Sequence, residues 1–230
     1  MKGGDSGSGD SGAGEAVFVD SGGGKAGVGE AVIVVGRVLR SSIRGFVVAS
    51  RIPEPDVPVF GSFVKAEIQR GATELIGLVY DIQIPDDPFI RQLALQEEPD
   101  QVALADQREI RGVPIEIGVV AVGYRDNARI YYGLPPQPPI MLNRIWICDD
   151  AEVRAFTGRL DFLRLLLNSR EVPADELIVS CLRLAAQARS EPERRAFLLN
   201  AGRELARLMG ADLVRLEALL GRMGGGGGSG

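Results

Sequence analysis

The chain has 230 residues, a formal net charge of −5 and no histidine. That length allows one or two domains with a real core, and 45% hydrophobic with 25% charged residues is the balance of a soluble globular protein. The acidic balance argues against coating nucleic acid by charge alone, which needs a basic face; the missing histidine removes the commonest general base, triad base and metal ligand together.

Residues 1–30 are mostly Gly, Ser, Asp and Ala around one apolar island, Ala16-Val17-Phe18-Val19, and carry Lys2 and Lys25 against five acids. So little apolar area cannot repay chain-ordering entropy, and the segment is expected to be a disordered tail. SGGGKAGVGE mimics a phosphate loop but fails the pattern: the first glycine would fall on Val19, and Ala26 follows Lys25 where Ser or Thr is needed. The opening residues lack the apolar stretch of a secretory signal, and no apolar run approaches the eighteen or so residues of a membrane span. The expectation is a cytoplasmic protein without membrane contact. A chain starting at Ala31 is expected to melt within a few degrees of the full chain; loss of the cooperative transition in a thermal melt would refute the tail assignment.

Residues 31 to about 133 read as β, within an expected barrel domain over 31–148. Segments 31–39, 44–50, 59–68, 74–82, 114–124 and 128–134 are rich in β-branched and aromatic residues and are bounded by turn residues such as Ser41-Ser42, Arg70-Gly71 and Asp126-Asn127. Alternation is clearest in Ile115, Ile117, Val119 and Ala121. Short strands at hairpin spacing, mostly without crossover helices, predict a small closed β-barrel, with Gly36, Gly77 and Gly118 at its tight bends.

Residues 86–112, charged and weakly helical, interrupt the rhythm as an insertion. Phe89, Ile90, Leu93 and Leu95 precede Glu97, Glu98 and Asp100, an apolar anchor with a charged rim that nominates this segment for partner binding. The competing reading has Phe89 and Leu93 plugging one end of the barrel.

LPPQPPI at 134–140 follows. Proline fixes φ and cannot donate to a ladder, so the run is expected to end the last strand and act as a stiff spacer between barrel and helices. A PxxP ligand is the rival reading.

Residues 149–223 change period. Val153, Phe156, Leu160, Leu163 and Leu167 form one stripe of a helix over 150–168, opened by Asp149 with Glu152 three residues on. A second helix follows Pro173, with Leu177, Ile178, Cys181, Leu182 and Ala185 inward. A third is capped by Ser190 and Glu193, presents Phe197, Leu198, Ala201, Leu205 and Leu208, and ends at Gly210. A fourth holds Leu213, Leu216, Leu219 and Leu220 before the flexible glycine tail at 224–230. Cys148 and Cys181 are too far apart for a CxxC site and are expected to be buried thiols, a disulfide being the alternative.

The stretches GRVLRSSIRGFVVAS, FVKAEI, LIGLVYDIQIPDDPFIRQL and LPPQPPIMLNRIWICDDAEVRAFTGRLDFLRLLLNS, spread over roughly residues 34–169, resemble the HAS-barrel family, small barrels found at the N-terminus of HerA-type ATPases and rotary ATP synthase subunits. The resemblance implies a HAS-barrel-like β + α fold used for assembly, seated against neighbouring subunits or docking a partner such as a NurA-type nuclease in DNA processing. No P-loop is present, so no catalytic residue, cofactor or metal site carries over. A non-enzymatic interaction module, an accessory of a HerA-like ATPase or NurA-like nuclease, is the resulting expectation.

Two alternatives remain. The chain has three lysines, so nearly all its positive charge is arginine, which binds phosphate bidentately. Arg154, Arg159, Arg164, Arg183, Arg194 and Arg203 therefore offer a nucleic-acid-binding face, or else a solvated helical face interleaved with acids. Asp81, Asp86 and Asp87 offer carboxylates for acid–base or Mg²⁺ chemistry, against the plainer reading that Asp beside Pro makes turns.

Overall fold

Alternating side chains on three local hairpins set up the architecture. In the computed structural model, which describes residues 33–50, 58–69, 73–85, 95 and 115–224, the strands are β1 (Val34–Ser42), β2 (Gly45–Ser50), β3 (Phe63–Gln69), β4 (Thr73–Gln83), β5 (Ile115–Asp126), β6 (Arg129–Tyr131) and β7 (Arg144–Ile147). All pairings are antiparallel, and the wall runs β1–β2–β5–β4–β3–β7 and back to β1. This is a closed six-stranded barrel. β6 extends it as a hairpin on the end of β5, turned at Asn127 with φ 52° and fastened by stacked Tyr124 and Tyr131 rings 4.8 Å apart.

Thirteen buried side chains fill the barrel, drawn from all six strands: among them are Val35, Val38, Phe46, Val48, Val64, Leu75, Val79, Ile117, Val119 and Ile145. Closure at this radius needs bends, which irregular registers at Val34/Gly36 and Ile76/Gly77 provide. A Cβ on Gly36 would lie 2.3 Å from the Ala49 carbonyl oxygen, and one on Gly77 would lie 2.4 Å from Val119 Cγ1, so only glycine lets these strands approach so closely.

The proline run does not separate barrel from helices. It links β6 to β7, and β7 inserts between β1 and β3 to close the wall. Pro135 and Pro139 are buried, and the Ser41 hydroxyl donates to the Pro139 carbonyl at 2.7 Å. The expected spacer is therefore part of the barrel. β7 itself, four residues without a long apolar run, escaped the strand reading.

Five helices follow: α1 (Asp150–Phe156), α2 (Leu163–Leu167), α3 (Ala174–Gln187), α4 (Glu191–Leu208) and α5 (Leu213–Gly224). Asp149 caps α1, accepting from the Glu152 N–H at 2.8 Å while Glu152 Oε2 accepts from the Asp149 N–H at 3.1 Å. The single helix expected over 150–168 is broken at Thr157–Gly158, and the break shifts the phase. Phe162 and Leu166 become buried while Leu167 is only half-buried. At α4, Glu193 Oε2 accepts from the Ser190 hydroxyl (2.7 Å) and N–H (3.3 Å). On α5 the inward stripe is Leu216, Leu219 and Met223; Leu213 and Leu220 face outward.

The helices pack against the outside of β3, β4 and β5. Outward residues of β3, β4 and β5 (Phe63, Ile76, Leu78 and Val122) belong to one buried cluster with Phe156, Phe162, Leu163, Leu177, Leu182 and Leu205. Barrel and helices thus share a core. Gly61, with φ 88°, ties the turn before β3 beneath α3: its N–H donates to the Val79 carbonyl at 2.7 Å, while Ser180 donates to the Phe60 carbonyl at 2.7 Å.

Candidate interaction surface

The outer face of β2, β1 and β7 contributes no side chain to the core under the helices. Along β1, Val35 and Val38 point in while Val34, Arg37, Leu39 and Arg40 stay exposed. Arg37, Arg40 and Arg144 give this wall a positive cast; Arg40 meets Glu116 at 3.6 Å, and Arg144 has no ion pair among the described residues.

Beside β1 the chain makes a turn at Ile140-Met141-Leu142 that shows three apolar side chains to solvent, with Leu142 66% exposed. The turn is firmly held. Leu142 N–H donates to the Val38 carbonyl (2.9 Å), Val38 N–H donates to the Asn143 carbonyl (3.0 Å), and Arg37 Nη1 donates to the Leu142 carbonyl (2.9 Å). Leu142 has φ 66°. That left-handed conformation favours Gly or Asn and costs a branched side chain about 1 kcal/mol or more.

Polar groups elsewhere are used to build the fold. On the covered side, Glu152 of α1 pairs with Lys65 of β3 and with Arg125 of β5 at 3.4 Å; Arg125 also holds Glu74, its Nε donating at 2.8 Å. Lys65 and Glu152 keep 17% and 18% of their side-chain exposure. This network fastens the first helix to the barrel. Burial pushes both thiols, Cys148 and Cys181, well above the ordinary cysteine range, and both cysteines are free and buried. No disulfide joins them.

The arginines expected as a nucleic-acid face divide into two groups. Arg154 donates to the Ala188 carbonyl, Arg194 to the Ala186 carbonyl, and Arg159 pairs with Asp161, so these three cap helix ends or neutralise neighbours. Arg189, which the periodicity did not single out, donates to Thr157 Oγ1 at 2.8 Å and lies 3.9 Å from the Phe197 ring centroid. Arg164, Arg183 and Arg203 have exposed side chains without an ion pair among the described residues.

Of the six residues nominated from the insertion, Leu95 is 79% exposed; Phe89, Ile90, Leu93, Glu97 and Glu98 lie outside the described residues. Asp86 and Asp87 also lie outside them, and Asp81 accepts a hydrogen bond from Gln83. Among the described residues no three His, Cys, Asp or Glu side chains gather as a metal site, and no helix is long and apolar enough to cross a membrane. The apolar turn was missed because Ile140-Met141-Leu142 reads as the end of a proline joint; the αL leucine, its main signal, is a backbone property. No protein-family model matches this chain, and no curated protein matches it.

Proposed function

We propose that this protein is a non-enzymatic interaction module, a HAS-type barrel that docks a HerA-like ATPase or a NurA-like nuclease subunit through the wall left bare by its helices. Leu142 carries the reading. A leucine in a left-handed turn serves neither the turn, which prefers Asn or Gly, nor the core, from which it points away. What it contributes is an apolar knob on a rigid mount, flanked by Met141 and Ile140. Anchors of this kind with arginine around them are the composition of interface centres. A filled barrel is consistent with a scaffold that presents its outside.

The pair Leu142→Asn and Met141→Ser tests this. Asn accepts the turn, so stability is expected to hold or rise by up to about 1 kcal/mol. Co-purification with a HerA-like ATPase or NurA-like nuclease from the same genome is expected for the parent chain and lost in the variant. Absence of association with either partner, or undiminished association in the variant, would overturn the proposal.

A further inference from the structure

Where the barrel meets the helices, the β1–β2 turn faces the α2–α3 connection across a cleft of about 500 Å³. Arg44, Arg164 and Arg170 line it with Glu171, and Leu134 and Val120 add apolar surface. A second cleft, on the other side of Arg44 and Glu171, shares both residues. Arg44 Nη1 and Glu171 Oε1 are 2.8 Å apart, bridging barrel and helices, and both side chains are mostly exposed. Arg164 and Arg170 have no ion pair among the described residues. Three guanidiniums against one carboxylate leave a local charge of +2 on a chain whose net charge is −5.

We propose that this cleft binds a small organic phosphate. A phosphate monoester carries about −1.5 to −2 at neutral pH, which matches the local excess where a single carboxylate does not. Its oxygens suit the forked donors of Arg44, Arg164 and Arg170. The volume falls in the range of small-molecule sites, and Leu134 and Val120 provide a surface for the ligand's apolar part. Glu171 holds Arg44 only through an exposed pair, which is weak, so the entering phosphate takes Arg44 from it. The role is distinct from partner docking: the cleft opens between the β1–β2 turn and the α2–α3 connection, whereas the Leu142 turn is held to Val38 in the middle of β1 and lines no part of it.

Calorimetric titration of the full chain with phenyl phosphate, inorganic phosphate, benzoate and a short single-stranded oligonucleotide tests the assignment. Saturable binding of phenyl phosphate is expected, tighter than inorganic phosphate and benzoate. Arg164→Ala and Arg170→Ala should each weaken it about tenfold or more, the loss of a charge-assisted contact, without moving the melt. Glu171→Gln should tighten it, because the competitor for Arg44 becomes neutral. The proposal falls if phenyl phosphate does not saturate, if the double variant binds it equally well, if benzoate binds as tightly, or if the oligonucleotide binds more tightly.

Discussion

Phe156→Ala is expected to destabilise the protein by about 3–5 kcal/mol, the cost of emptying a fully buried aromatic site. Phe156 is 1% exposed, and its ring centroid lies 5.2 Å from Tyr132, 5.4 Å from Phe162 and 6.1 Å from Phe63. Those neighbours come from the strand connection, the α1–α2 break and β3, so the ring joins the barrel to its helices. Gly123 makes the arrangement fit, since a Cβ there would stand 2.8 Å from the Phe156 ring. The Tyr132 hydroxyl, donating to the Phe156 carbonyl at 2.7 Å, fixes the helix end against the same strand connection. Barrel and helices should accordingly unfold in one transition. Urea denaturation followed by tryptophan fluorescence and by far-ultraviolet circular dichroism checks both statements: Trp146 reports on the barrel wall and the dichroism mainly on the helices. A loss below about 1 kcal/mol, or two separated transitions, would show that the helices are a loose appendage.

Glu152→Ala is expected to cost about 2–3 kcal/mol, somewhat less than a fully buried ion pair because water still reaches the network. The substitution removes two things at once: the capping-box carboxylate that accepts from the Asp149 N–H, and the counter-charge of Lys65 and Arg125. Glu152→Gln separates them. The amide oxygen can still reach back to the cap, so Gln should recover up to about 1 kcal/mol of the loss, while the charge contribution stays lost. The remaining deficit should respond little to added salt, since partly buried pairs are poorly screened. Equal stability of all three proteins in guanidinium or urea titrations would mean that the network contributes nothing.

The legible parts of this protein are those whose causes lie within a few residues. Alternation in Ile115 to Ala121, the Asp149–Glu152 and Ser190–Glu193 boxes, and the inward stripe of α3 (Leu177, Ile178, Cys181, Leu182 and Ala185) all carry their own signal, and each is present in the fold. The break in the first helix was harder to read. The stripe continues plausibly through Leu160 and Leu163, and Gly158 alone does not announce that Phe162 will turn inward. The insertion at 86–112 is visible in the sequence as an interruption of the strand rhythm, whereas the helix-free outer face of β2, β1 and β7 is defined only by where the helices pack.

By itself, the sequence determined a β region of hairpins, a capped helical region and the composition of both cores. Only the tertiary structure decided how the barrel closes, through β2 on β5 and through β7 between β1 and β3. These pairings join residues between 65 (Ser50 with Ile115) and 112 (Val34 with Trp146) positions apart in the chain. No local propensity encodes them; they form because a free edge leaves backbone donors and acceptors unpaired, and four residues of β7 satisfy two such edges at once. The same holds for the arginine cleft. Arg44 is remote in sequence from Arg164 and Arg170, and the three acquire a shared charge and a shared cleft only when the helices fold back over the barrel.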